Sequence, residues 1–135
     1  MMEYRLRRGS SMPAYQQIVQ QTEQALRLGL LRPGDKLPTA RHVVAATAIN
    51  PNTVLRAYQE LQRAGLVESR QGLGTFVVRS LGRAETIAGS GLREELDAWV
   101  DRAAELGLDR EDVLALAGAA VDARLPQQAE PELPR

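Results

Sequence analysis

At 135 residues the chain has room for one domain of ordinary size, or a small domain with an appendage, and too little for a large enzyme. It contains no cysteine and one histidine, His42, which excludes disulfide frameworks, thiol nucleophiles and thiolate or multi-histidine metal centres, so no cofactor or metal is expected. The net charge is zero, but residues 1–79 hold 11 Lys/Arg against 5 Asp/Glu, and residues 80–135 hold 6 against 12: a +6 part suited to a polyanion is followed by a −6 part that is not.

Residues 1–12 are short, polar and Arg-rich, and read equally as a frayed arm or a brief strand. They lack the apolar core of a signal peptide, and no run anywhere approaches the roughly 18 apolar residues of a membrane span, so a cytoplasmic protein with no membrane partner is expected. From Pro13, the positions Tyr15, Ile18, Val19, Thr22, Ala25 and Leu26 keep one apolar face up to Gly29 and predict a first helix. Its glutamines (16, 17, 20, 21 and 24) read as a solvated face. Leu30 to Pro38 is turn chemistry around Pro33-Gly34. Thr39 then caps a short second helix that ends near Ala48.

Two residues further on, Asn50 supplies a cap and Pro51 a first helical position where a missing N–H costs nothing. Val54, Ala57, Tyr58 and Leu61 form the apolar face of this third helix, and Gly65 ends it. The outer face carries Asn52, Thr53, Leu55, Arg56, Gln59 and Arg63, donors and acceptors suited to phosphates and base edges. Taken alone the segment could be any solvated amphipathic helix, but two helices joined this tightly must cross steeply, as in a helix-turn-helix. Leu66–Arg70 and Thr75–Arg79 are strand-like, with Gln71-Gly-Leu-Gly74 as a hairpin tip. The hairpin is either a structural ribbon or a wing; Arg70 and Gln71 beside Gly72 favour a wing that reaches the minor groove or phosphates.

The expected fold is mainly α with a small β-hairpin: a winged helix-turn-helix DNA-binding domain over residues 1–79, a linker over 80–91, a two-helix dimerisation region over 92–124 and a disordered tail over 125–135. Leu92, Leu96, Trp99, Val100, Ala103 and Leu106 mark the apolar face of one tail helix. Asp109 and Asp112 form a capping pattern for the next, whose apolar face is Val113, Leu116, Ala117, Ala120 and Val121. So small a pair must bury its stripe elsewhere, either back on the winged domain or against a second copy. The flexible linker and the twofold habit of such DNA readers favour the second copy, with Leu92, Leu96, Trp99, Val100, Ala103, Val113, Leu116 and Ala120 at the contact.

Pro13-x-Tyr15-x-Gln17-Ile18, Gly34-Asp-x-Leu37-Pro38-Thr39-x-Arg41, Asn50-Pro-Asn-Thr-Val54, Arg56-Ala-Tyr58-x-x-Leu61, Gly65-Leu-Val67 and Gly72-x-Gly74-Thr-Phe-Val77 follow one another as in GntR-type bacterial transcription regulators. The likeness runs over about residues 13–78. The Asn-Pro-Asn-Thr-Val run and the short tail resemble the YtrA-like branch, whose members commonly repress operons for ABC-type transporters. The resemblance implies DNA contacts by Arg41 on the second helix, by Asn50, Asn52 and Thr53 at the recognition-helix N-terminus, and by Gln71 and Gly72 at the wing tip. Arg56 is assigned to phosphate because of its long reach. Many relatives carry a basic residue where this chain has Leu55, which leaves a thymine-methyl contact or plain solvent exposure for that side chain.

The resulting expectation is a homodimeric repressor that binds an inverted-repeat operator; whether a small-molecule effector exists is left open. The alternative is a protein-interaction adaptor on a winged-helix scaffold, which would have no need for Arg41, Arg56 and Arg70 to converge on one side. An enzyme would need a nucleophile with a base, or a metal cluster, and the sequence offers neither.

Overall fold

The computed structural model describes residues 2–127; the part of the expected disordered tail at residues 128–135 lies outside them. The chain divides into two compact units, Met1–Ser90 and Gly91–Arg135. In the first, helices α1 (Ala14–Leu28), α2 (Ala40–Thr47) and α3 (Pro51–Arg63) are followed by an antiparallel hairpin, β1 (Val67–Arg70) and β2 (Gly74–Val77), and by α4 (Ala84–Ser90). The second holds α5 (Leu92–Glu105) and α6 (Arg110–Arg124).

Local chemistry sets the helix ends. Thr39 accepts from the His42 N–H at the start of α2, and Asn50 Oδ1 accepts from the Asn52 N–H at 2.8 Å at the start of α3, with Pro51 in the first turn. Gly29 closes α1 in the left-handed conformation. In the second unit Asp109 and Asp112 complete the expected capping box of α6. Ile18 and Leu26 of α1, Val54 and Leu61 of α3, Leu37 before α2 and Val77 of the hairpin are fully shielded and form one core. The Tyr58 hydroxyl donates to the Pro38 carbonyl at 2.5 Å, tying α3 to the entry of α2, and burial pushes this phenol further up, against ionisation.

Three expectations need correction. The glutamines of α1 are not simply a solvated face: Gln17 is buried, and with Gln21 it clasps the N-terminal segment. Arg5 N–H donates to Gln21 Oε1 (2.9 Å) while Gln21 Nε2 donates to the Arg5 carbonyl (2.8 Å), and Gln17 exchanges the same pair of bonds with Arg7 (2.8 and 3.2 Å). The steps match, because two extended residues advance about 6.6 Å and four helical residues about 6 Å. Residues 2–6 therefore run as an extended segment along α1, and Tyr4 is buried against Thr22. Secondly, the segment before α2 is more than a turn. Gly34 N–H donates to the Val77 carbonyl, Val77 N–H to Asp35 and Leu37 N–H to Thr75, so Lys36 pairs with Phe76 as a third edge of the wing. Thirdly, the expected linker contains α4, which lies against α1, and Leu81 packs on the core. A Gly-, Ala- and Ser-rich composition signals a linker only weakly, since alanine is the best helix former.

The turn from α2 to α3 passes through Ala48, the one non-glycine residue with positive φ among those described (φ 59°, ψ 26°). An L-residue pays about 1 kcal/mol or more for that conformation. Ala48→Gly is therefore expected to stabilise the winged unit by about 0.5–1 kcal/mol, after allowing for the greater freedom of glycine in the unfolded chain. Thermal denaturation checks this, and an unchanged or lower midpoint would refute it.

Candidate nucleic-acid interface

The amphipathicity of α3 decides what it presents. Val54, Ala57, Tyr58 and Leu61 are buried, which leaves Asn52, Leu55, Arg56 and Gln59 exposed and Thr53 half-buried. Asn50 is also exposed, but its side-chain oxygen is engaged in the cap, so this residue builds the helix N-terminus rather than projecting freely from it. The first turn of α3 contains no acidic residue; Pro51 has no N–H and those of Asn52 and Thr53 are bonded to Asn50, so it is the positive end of the helix dipole that favours an anion there.

Arg56 is not a loose side chain. Its guanidinium lies over the Tyr15 ring of α1, 3.8 Å from the centroid, a geometry that restrains the cation while leaving its N–H rim open. Arg63 is paired with Glu60 at 2.8 Å and is correspondingly less available. Arg41 is exposed in the first turn of α2, without an ion pair among the described residues. A half-open groove of about 560 Å³ separates the arm residues Arg7, Arg8 and Ser10 from Thr47 and Ile49 at the α2–α3 turn.

In the wing, Gln71 and Gly72 are exposed at the hairpin tip, and Gly72 has φ 74°, a left-handed value that glycine adopts freely. Arg70 is differently placed from the sequence expectation: its Nε donates to Glu68 Oε1 at 2.7 Å and its guanidinium covers the Phe76 ring at 4.6 Å. In the second unit, of the residues nominated for dimer contacts, Ala103 is buried and Val113 half-buried, while Leu92, Leu96, Trp99, Val100, Leu116 and Ala120 are exposed. Two cation settings escaped the sequence reading, the Tyr15 platform and Lys36. The three-residue helical spacing of Tyr15 from the buried Ile18 could have flagged the first as a ring at the edge of the core; nothing local signals the second.

Residues 14–77 match the family described as bacterial regulatory proteins, gntR family. Over 105 residues the chain is 41% identical to the uncharacterized HTH-type transcriptional regulator YhcF of Bacillus subtilis, covering 78% of this chain and 87% of that one. The chain belongs to the GntR family. Like other members of that family it is a DNA-binding transcription regulator and not an enzyme. The likeness to the YtrA branch is present too: the GntR chain is 46% identical over 68 residues to the HTH-type transcriptional repressor YtrA of Bacillus subtilis, covering 50% of this chain and 52% of that one. Among solved structures, the DNA-binding domain of AraR in complex with operator ORX1 superposes with a TM-score of 0.50 at 28% identity, over 57% of this chain and 96% of that one. The matched span of the GntR chain is the helix-turn-helix with its wing, from the start of α1 to the end of β2. Among the described residues no helix is long and apolar enough to cross a membrane.

Proposed function

We propose that this GntR regulator is a homodimeric repressor that reads an inverted-repeat operator. The observation that carries the reading is the outward face of α3, where Asn52, Thr53 and Arg56 stand at and just past a capped N-terminus while the opposite face is locked into the core. Asn52 and Thr53 read base edges; Arg41, Arg56 and the wing residues Gln71 and Gly72 engage the backbone and minor groove; Asn50 holds the helix start in register. Repression and operator binding are supported by the names of the YtrA and AraR relatives, and an ABC-type transporter operon is the target implied by the YtrA-like motifs. The domain assignment follows the same lines, with the reading head in residues 1–79 and α5 and α6 as the dimerisation region.

Arg56 gives the direct test. Neutralising one phosphate contributes about −0.9 to the slope of log K against log salt. Arg56→Ala is therefore expected to weaken binding to operator and random DNA about equally and to make the slope shallower by about 0.9. Titrations in two salt concentrations on both duplexes measure it. An unchanged slope would remove Arg56 from the phosphate contacts, and a footprint showing no protected inverted repeat upstream of the gene or its neighbours would remove the operator reading.

A further inference from the structure

We propose that Lys36, which lies before α2 and outside the hairpin, is a phosphate-contacting residue of the wing. The inference rests on the proposed function, in that the wing faces DNA, and assigns a residue that the motif pattern leaves out.

Strand alternation places the groups. Lys36 is opposite Phe76, Glu68 is opposite Phe76 from the other side, and Arg70 is opposite Gly74, so all five share one face of the wing. The other face carries Val67 and Val77, which are buried in the core together with Leu37. On the outer face the cation suggested by the sequence, Arg70, already has a carboxylate partner in Glu68. Lys36 has none: among the described residues it makes no ion pair, and the adjacent Asp35 instead accepts from the Arg32 N–H at 2.9 Å.

The Lys36 side chain also has a defined course. A β-carbon on Gly74 would lie 2.6 Å from Lys36 Cε, 3.6 Å from Cδ and 3.4 Å from Nζ, so the lysine stem occupies the space left by the missing side chain. Gly74 has φ 122°, so its backbone favours glycine as well. The stem is laid across β2 from the Phe76 row toward the tip residues Gln71–Leu73, covering backbone with its methylenes while its charge stays in water. Its base is fixed, because residues 34–37 are held to β2 by three backbone hydrogen bonds of 2.7–2.8 Å. The result is an uncompensated ammonium beside the hairpin tip. An ammonium acts as a point charge with rotatable donors, which suits a phosphate oxygen better than a planar base edge. Because such a contact does not depend on sequence, it belongs to the electrostatic part of DNA binding.

The test uses the full chain and a random-sequence duplex, with Lys36→Met, Lys36→Arg and, as reference, Arg56→Ala. Methionine keeps an unbranched apolar stem over Gly74 and removes the charge; arginine keeps the charge. Lys36→Met is expected to make the salt slope shallower by about 0.9, so that between about 50 and about 200 mM salt it loses about 3.5-fold less affinity than the parent chain. Lys36→Arg should restore the parental slope, and both variants should melt at the parental temperature. A parental slope for Lys36→Met alongside a shallower one for Arg56→Ala would overturn the assignment while leaving the DNA reading standing. Parental slopes for both would overturn the assignment together with the phosphate reading of Arg56, and a shallower slope that Lys36→Arg fails to restore would show that charge at position 36 is not the cause.

Discussion

Trp99→Asp in the full chain is expected to turn a dimer into a monomer and to weaken operator binding by about 10²- to 10⁴-fold. The reason lies in what α5 leaves uncovered. Leu96, Trp99 and Val100 are 52, 36 and 38% exposed, while the small Ala103 is the residue of that stripe that is buried. Large side chains on the outside and small ones on the inside are the reverse of what a self-sufficient pair of helices would show. Covering the remaining third to half of such side chains gains about 0.5–1.5 kcal/mol each, which a second copy can supply by pairing the stripe with itself. Tryptophan is the residue type most often found as an anchor in such contacts, and a carboxylate in its place would be desolvated without a partner. Two linked reading heads make the second half-site contact intramolecular, so loss of the dimer lowers affinity although α3 is untouched. Half-sites should lie about 34 Å apart or at a multiple of it. A fragment ending at Ser90, which retains Leu81 and α4 on the winged unit, should behave in the same way. Sedimentation with operator titration decides the matter: if Trp99→Asp stays dimeric with parental affinity, or if the fragment sediments as a dimer, the tail is not the dimerisation element.

What could be read from the sequence was local. The caps at Thr39, Asn50 and Asp109, the glycine that closes α1 and the apolar spacing of α3 act within one or two turns, so their residues announce the element they terminate or fill. The hairpin tip and the face of α3 were legible for the same reason. The features missed depend on partners distant in the chain. A glutamine reads alike whether it faces water or clasps a backbone, and the clasps of Gln21 and Gln17 reach back 16 and 10 residues. Lys36 meets the wing through a pairing with Phe76, and the turn chemistry around it carries no trace of that strand. The ion pair of Arg70 with Glu68 depends on two side chains of one strand leaning together on the same face, which charge counting does not resolve. Composition does not separate a linker from α4, because small residues suit a coil and a helix alike.

Asn52→Ala and Thr53→Ala are each expected to weaken operator binding by about 1–3 kcal/mol while leaving binding to random DNA nearly intact. The structure makes these substitutions clean. The cap of α3 runs from the Asn52 backbone N–H to Asn50 Oδ1, and Thr53 N–H donates to the Asn50 carbonyl at 2.9 Å, so neither side chain is needed for the helix to start. Asn50→Ala differs: it removes the cap itself, and a loss of about 1 kcal/mol in stability should accompany whatever it does to DNA binding. A base contact therefore shows itself as a loss confined to operator with an unchanged melting temperature, whereas a scaffold residue lowers both. An asparagine amide has the paired donor and acceptor that match an adenine edge, and a threonine offers a hydroxyl to several bases and a methyl to thymine, so the two losses should fall on different base pairs of the half-site. Titrating each variant against single-base-pair substitutions of the operator locates them. Equal losses on operator and random DNA would assign Asn52 and Thr53 to phosphate instead, and would move sequence reading to Leu55 and Gln59, which with Arg56 are the next exposed positions along α3.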